Sequence, residues 1–396
     1  MFDTFEKLAD DPILGLIGAY KNDNNPQKID LGAGVYKNLG GITPVFEAIK
    51  RAETLKLENE TSKTYTGIEG DPLFCETIQS LILGADHPAI KEGRSCAISA
   101  PGGSGALRVA GEVINGWKEG AHLWVSDPSW PNHTPLLATA GLTISNYPYY
   151  NGDNHEIRTD EMMDQITKLG KEDILLLHGC CHNPSGADLS FEHWQEIARL
   201  AQHNGFIPFI DFAYQGLGKG LDKDAEGMRY LVSQVPEIII AYSCSKNFGL
   251  YRDRVGAAMI VTEQKTSTEA AWTHMKSVAR RLYSVPPAHG AILVGMILSD
   301  PELKMNWESE LKEMQTRINS LRVLFTQAMK RKGSRVDYDF INVQNGMFSI
   351  LGLTVEQVLR LRSEFSVYMV NSSRINIAGI SPENVDYLAD AIIAVQ

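Results

Sequence analysis

Lys246 follows Ser243, Cys244 and Ser245 at the end of the apolar run EIIIAY, and Arg254 stands eight positions further on. An ammonium carried into the interior by a buried strand is costly unless something pairs with it or uses it. Three other stretches offer partners. In SAPGGSGALRVAGEV, Gly102, Gly103, Ser104 and Gly105 lead into a helical pattern, and free backbone N–H groups at such an entry can hold an anion. In HGCCHNPSG, Asn183 offers an amide just after an apolar run. In FIDFAYQG, Asp211 ends another apolar run, and Tyr214 lies three residues on. Each stretch also has an ordinary reading. The glycines and Asn183-Pro184 suit turns, Asp211 suits a helix cap, and Lys246 and Arg254 suit surface charges.

Taken together, the parts are complementary. Ser104, Ser243, Ser245 and Arg254 supply an anion cradle with hydroxyls. Asp211 is an acid, Tyr214 and Asn183 are a phenol and an amide, and Lys246 is an amine. A phosphorylated pyridine aldehyde uses such a set. Its phosphate takes the cradle, its ring nitrogen the aspartate, its ring hydroxyl the phenol and amide, and its aldehyde the lysine as a Schiff base.

The elements that must hold these groups are legible in outline. HLWVS (122–126), ILLLHG (174–179), FIPFID (206–211), EIIIAYS (237–243) and GAAMIVT (256–262) read as short buried strands. Residues 190–205, SFEHWQEIARLAQHNG, predict a helix capped by Ser190 and stopped by Gly205, with Phe191, Trp194, Ile197, Ala198 and Ala201 on one face. The helix after PGGSG sets Leu107, Ala110, Val113, Ile114 and Trp117 on one side. Strands separated by helices give a mainly parallel sheet covered on both faces, with ligands at the carboxyl ends of the strands. Near residue 300 the pattern changes. Asp300-Pro301 opens a long helix with Trp307, Leu311, Met314, Ile318, Leu321 and Phe325 on one stripe, ending near Gly333. VDYDFINV (336–343) reads as a strand, Asn345-Gly346 as a turn, and 354–365 as a helix opened by a Thr354–Gln357 capping box. Two short strands and a final helix from Ser381-Pro382 follow. This predicts a large α/β domain over residues 45–300. Residues 1–44 and 301–396 form a smaller α+β unit, with the N-terminal segment packing on it or on a partner.

Bulk properties exclude several classes. The chain has 396 residues, 43% apolar and 21% charged, as in a soluble globular protein. Its net charge of -11 argues against nonspecific nucleic-acid binding and docking on anionic membranes. No apolar run approaches the roughly 20 residues of a membrane-spanning helix, and the acidic start MFDTFEKLADD does not read as a leader. Five cysteines without a C-x-x-C fit reduced thiols in the cytoplasm. Adjacent Cys180 and Cys181 at a strand end are poor chelators, so they read as small buried residues and no metal site is expected.

Ordered stretches over nearly the whole chain resemble one family. They are DDPILGL, LGAGVYK, TYTGIEGDP, PGGSGALRV, SDPSWPNH, LLLHGCCHNPSG, FIDFAYQG, SKNFGLYRDRVG, RRLYSVPPAHG, QNGMFS and SSRINIAGI. On these, the chain resembles the class I aminotransferases of fold type I, which use pyridoxal 5'-phosphate, and within them the aspartate and aromatic aminotransferases. The resemblance implies a mainly parallel seven-stranded sheet in the large domain and transamination between aspartate and 2-oxoglutarate. The alternative is an aromatic aminotransferase that also accepts dicarboxylates. It implies that Lys246 holds the cofactor and moves the substrate proton, that Asp211 keeps the ring nitrogen protonated, and that Tyr214 and Asn183 bond the ring oxygen. Gly103, Ser104, Ser243, Ser245 and Arg254 would hold the phosphate, and Trp130 would stack on the ring. Gly34 would lie over the substrate, and Arg374 would clamp its α-carboxylate. Tyr65 and Arg280 would reach into the site of the other subunit of a homodimer, Tyr65 to the phosphate and Arg280 to the substrate's side-chain carboxylate.

The chain departs from the aspartate enzymes in places. Ser104 stands where threonine is frequent, Gly102 where some relatives have serine, and Val285 where Asn or Ser is frequent. Two other classes fit less well. The presence of Lys246, Asp211 and both candidate arginines argues against a ligand-sensing protein on this fold. A nucleotide-dependent oxidoreductase would need an acidic residue after a second strand to hold a ribose, and Glu119 and Asp127 do not supply it.

Overall fold

The computed structural model describes residues 2–8 and 12–396, without the side chains of 12–14. Asp10 and Asp11 of the DDPILGL stretch lie outside the described residues. Seven strands form the main sheet: β1 (Ser95–Pro101), β2 (His122–Asp127), β3 (Thr143–Pro148), β4 (Asp173–His178), β5 (Ile207–Phe212), β6 (Ile238–Ser243) and β7 (Val255–Val261). Their spatial order is β1-β7-β6-β5-β4-β2-β3. β2 to β6 run parallel, and β7 runs antiparallel to both β6 and β1. The register sets functional positions side by side. His178 pairs with Asp211, Asp211 with Ala241, and Ser243 with Gly256.

The five strands with apolar runs are those the sequence marks. The two edge strands, SCAISAP and TISNYP, lack such runs. β1 is built from small residues, and β3 is half-exposed and polar.

The helix α1 (Gly102–Trp117) enters directly from β1 and buries Leu107, Ala110 and Ile114. Val113 is only half-buried and Trp117 is exposed, because the covered stripe runs out at the last turn. In α2 (Phe191–Asn204) the Ser190 side chain accepts from the His193 N–H, and Gly205 closes the helix at φ +83°, a left-handed conformation that glycine adopts freely. Trp194, Ile197, Ala198 and Ala201 are buried there, and Phe191 lies at the rim. A third helix, α3 (Lys265–Leu282), covers β1.

The long helix α4 (Pro301–Arg331) is capped by Asp300, whose Oδ1 accepts from the N–H groups of Glu302 and Leu303. Its whole apolar stripe from Trp307 to Phe325 is buried. Trp307 stacks on Phe248 at 4.4 Å, and its indole N–H donates to the Asn247 carbonyl at 2.7 Å. Asn247 in turn donates to the Tyr242 hydroxyl at 2.8 Å. The residues just after Lys246 are thus held from both sides.

Past α4 the structure corrects two expectations. VDYDFINV is not a strand. Asp337 accepts from the Asp339 N–H in a turn, and Phe340–Val343 is a short helix. Tyr338 and Ile341, three apart, are the buried residues, while Val336 and Val343 are exposed, so the alternating pattern misleads. The final helix, after α5 (Val355–Phe365), is α6 (Val385–Val395), which starts later than Ser381-Pro382 suggests. There Ser381 and Asn384 exchange side-chain-to-backbone hydrogen bonds and form a turn first. The Thr354–Gln357 capping box is present at the start of α5. The short strand Phe348–Ile350 pairs antiparallel with Arg374–Asn376, and Ile29–Asp30 pairs parallel with Val367–Tyr368. Ahead of that pairing, Phe2, Phe5 and Leu8 are exposed.

Candidate active site

At the carboxyl ends of β4, β5 and β6 lies a cavity of about 240 Å³. Gly103, Ser104, Trp130, Asn183, Asp211, Tyr214, Ser243, Ser245, Lys246, Arg254 and Gly34 all line it. Eleven of the sequence-selected residues therefore meet at one place, together with Leu107, Ala213 and Tyr251.

One wall is an anion cradle. α1 has no side-chain cap at its N-terminus, and its first-turn residues Gly103 and Ser104 line the cavity, where such helix-end N–H groups can hold an anion. The Ser243 hydroxyl donates to Ser245 Oγ at 3.1 Å, which places both hydroxyls beside that helix end. Arg254 is anchored by Nη1 on the Tyr251 carbonyl at 2.8 Å. Gly102 sits at φ +71°, which favours glycine, and a Cβ there would lie 2.5 Å from Arg254 Nη2, so a larger residue would have to shift that guanidinium.

The floor carries Lys246 and Asp211. Lys246 Nζ lies 4.9 Å over the Tyr214 ring and has no hydrogen bond or ion pair among the described residues. Burial pulls its ammonium down to about 8; Asp211 opposes this, while Arg254 and Arg374 add to it. For Asp211 burial raises the carboxyl. The His133 hydrogen bond, then the charges of His133, His178 and Lys246, outweigh burial and hold it below its usual value. His133 Nε2 lies 2.9 Å from Asp211 Oδ2, and His133 Nδ1 contacts Ser129 Oγ at 2.8 Å. Ser129 Oγ also meets His178 Nε2 at 3.3 Å, and burial pulls His178 down to about 3. The Trp130 ring stands edge-on to His133 at 5.2 Å.

Arg374, 4% exposed, is not itself in the lining but is bonded to the lining Asn183. Its Nη1 donates to Asn183 Oδ1 at 3.3 Å and its Nη2 to the Gly32 carbonyl at 3.0 Å. Asn183 Nδ2 donates to the Tyr214 hydroxyl at 3.4 Å. Arg374 Cζ lies 4.4 Å over the Phe348 ring, and its Nε has no partner. A guanidinium beside the cavity with only two neutral acceptors and an unpaired Nε has donors left for a carboxylate from outside. Asn376 on the same strand donates to the Ala33 and Val35 carbonyls and so holds Gly34 over the cavity. Tyr251 fixes the same segment by accepting from the Tyr36 N–H at 2.9 Å.

Two selected residues lie elsewhere in the single chain. Tyr65 is 90% exposed and does not line the cavity. Arg280, on α3, is exposed and donates to the Ser284 hydroxyl. The sequence reading missed His133 and Tyr251. Both stand inside stretches already singled out, three residues after Trp130 and five after Lys246.

Just past the carboxyl end of β4, the ligating atoms of Cys180, Cys181 and Asp224 lie within 4.8 Å of one another. Cys181 is at φ +51°, in the left-handed region. Asp224 already accepts from the backbone N–H groups of Gly216, Gly218 and Lys219. Burial pushes the Cys181 thiol up to about 12, so it stays protonated at neutral pH.

Comparisons with known proteins agree with this geometry. The family model described as aminotransferase class I and II matches residues 26–392. The aspartate aminotransferase of Escherichia coli strain K12 is 46% identical over 395 residues and is covered, like this chain, to 100%. The aromatic-amino-acid aminotransferase of Pseudomonas aeruginosa is 44% identical over 394 residues, covering 100% of this chain and 98% of its own. Among solved structures, the aromatic-amino-acid aminotransferase from Burkholderia pseudomallei, covalently bound to pyridoxal phosphate, superposes with a TM-score of 0.97 at 38% identity, covering 100% of this chain and 99% of its own. A cavity built around one free lysine, reached by a match of this extent, leaves one assignment: the chain belongs to the class I and II aminotransferases.

Proposed function

We propose that this protein is a pyridoxal 5'-phosphate-dependent aspartate aminotransferase, moving the amino group between L-aspartate and 2-oxoglutarate to give oxaloacetate and L-glutamate. One observation carries the reading. Lys246, without a hydrogen bond or ion pair among the described residues, shares the cavity with the buried Asp211, and the buried Arg374, with no acid among its hydrogen-bond partners, is bonded to the lining Asn183.

The residues present fit the cofactor. The uncapped start of α1, the Ser104, Ser243 and Ser245 hydroxyls and Arg254 are donors suited to a phosphate. Asp211, held ionised, suits a protonated ring nitrogen. Tyr214 and Asn183 offer donors for a ring oxygen, and Trp130 offers an aromatic face. When bound, the cofactor supplies an electron sink and a carrier for the amino group.

The chain's own residues do the rest. Lys246, drawn toward neutrality by burial, is a nucleophile for the cofactor's aldehyde and a base for the substrate Cα proton. Arg374 takes the α-carboxylate as a bidentate partner, and Gly34 leaves room above it. In a homodimer, Tyr65 and Arg280 would complete the neighbouring site, Tyr65 at the phosphate and Arg280 at the side-chain carboxylate. We assign the protein to the cytoplasm on its free cysteines. Among the described residues no helix is long and apolar enough to cross a membrane. Residues 45–300 and the remainder serve as the larger and smaller domains.

A second reading has specific support. Aromatic aminotransferases match nearly as well over the full length, and one similar structure, from Psychrobacter sp. B6, was crystallised with aspartic acid. The experiment for the reaction itself is Lys246→Ala. Turnover falls by about 10⁴-fold while the cofactor is retained through the cradle. Near-native turnover in this variant removes the mechanism.

A further inference from the structure

Arg322, on α4, is 1% exposed and has no acidic partner among its hydrogen bonds. Its guanidinium donates instead to five acceptors: the carbonyls of Ile341, Asn345, Gly346 and Phe348, and Ser349 Oγ at 2.7 Å. They run from the short helix Phe340–Val343 into the short strand Phe348–Ile350. Residues 344–347 between them are neither helix nor strand, so the Asn345 and Gly346 carbonyls lie outside any regular ladder.

The other side of the segment is bound to the chain around Asn183. The Asn345 N–H donates to the Gly186 carbonyl at 2.8 Å, and Asn345 Nδ2 to Asp188 Oδ2 at 3.1 Å. Ser349 Oγ donates to Gln344 Oε1 at 2.6 Å, and Gln344 Nε2 to the Tyr150 hydroxyl at 3.0 Å. What this mounting carries is Phe348. Its ring lies under the Arg374 guanidinium, and its edge faces Gly34, where a Cβ would be 3.3 Å from Cζ. Arg374 in turn holds Asn183.

We propose that Arg322 is a positioning residue for the carboxylate-binding wall: one buried guanidinium gathers five acceptors and fixes Phe348, and Phe348 sets where Arg374 sits. The inference rests on the reading of Arg374 as the carboxylate clamp. Arg322 touches neither cofactor nor substrate. It acts by geometry, and an ångström of misplacement at a bidentate clamp is enough to weaken binding strongly. Nη1 and Nη2 make all five contacts and Nε has no partner among the described residues, so a planar fork suits this task and a lysine's point charge does not.

The test compares Arg322→Met, Arg322→Lys and Arg374→Lys holoenzymes with Leu388→Ala, a cavity variant in α6 whose side chain is 0% exposed. Succinate is the non-reacting probe, and KM, kcat, melting temperature and the cofactor's visible band are recorded. Arg322→Met is expected to raise KM and the succinate Kd about tenfold, to change kcat less than about threefold, and to leave the band unmoved. Arg322→Lys recovers part of the loss. Leu388→Ala lowers the melting temperature without moving KM. If Arg322→Met does not fold, Ser349→Ala removes a single acceptor and should raise KM about twofold. Loss of stability with an unchanged KM overturns the proposal alone, provided Arg374→Lys weakens succinate. An Arg374→Lys enzyme that binds succinate normally overturns both the proposal and the reading beneath it.

Discussion

His133 and Asp211 meet at 2.9 Å beneath the cavity, imidazole nitrogen to carboxylate oxygen, on side chains that solvent barely reaches. Burial alone would push Asp211 toward its neutral form. The imidazole reverses that, and so keeps a charge where a protonated ring nitrogen would need one.

His133→Phe preserves the edge contact with Trp130 and removes the hydrogen bond. Asp211 should then lose its largest stabilising partner, and its pKa should rise. The wild-type carboxyl is held below its ordinary value, so its charge persists until the pH falls through that lowered value. In the variant the acid limb of the kcat profile should move up by about one pH unit. A limb that stays in place would mean that Asp211 is held ionised by other groups.

Lys246 gives a second pH dependence of opposite origin. Its folded pKa is lowered to about 8, and only the neutral amine attacks an aldehyde. Cofactor-free protein should capture pyridoxal 5'-phosphate at a rate that climbs with pH and levels near 8. A rate still climbing toward the ordinary lysine range of about 10.4 would show an amine unperturbed by its burial.

Arg280 offers a test of sharing between subunits. Arg280→Ala should harm aspartate by about 10²-fold and phenylalanine far less, since only the former presents a side-chain carboxylate. If the arginine crosses to a partner, hybrids of Lys246→Ala and Arg280→Ala chains contain one intact site and recover aspartate turnover. Hybrids no more active than the mixed parents would place Arg280 in its own subunit's site.

Legibility in the sequence followed the kind of force at work. The buried strands β4, β5 and β6 announce themselves as apolar runs, and their ends locate Asn183, Asp211 and Lys246 nearby. The caps at Ser190, Asp300 and Thr354 are local hydrogen bonds and were readable from a few residues. β1 and β3 were not, because edge strands of small or polar residues depend on what they pair with. VDYDFINV alternated like a strand, yet a local turn at Asp337 and the burial of Tyr338 and Ile341 made it helical. Only the resemblance singled out Arg374, since its hydrogen-bond partners Asn183 and Gly32 lie more than 150 positions away. His133, Tyr251 and Arg322 act through distant partners, and no local pattern marks such a role.

The most direct measurement is an absorbance titration of the pure holoenzyme, first with aspartate and then with phenylalanine, without a second substrate. The account predicts that aspartate, at low concentration, converts the visible band of the lysine-bound cofactor to that of its amino form, while phenylalanine does so only weakly. Equal conversion by both would contradict the aspartate preference and make this an aromatic enzyme of dual specificity. No conversion by either would contradict transamination at Lys246 altogether.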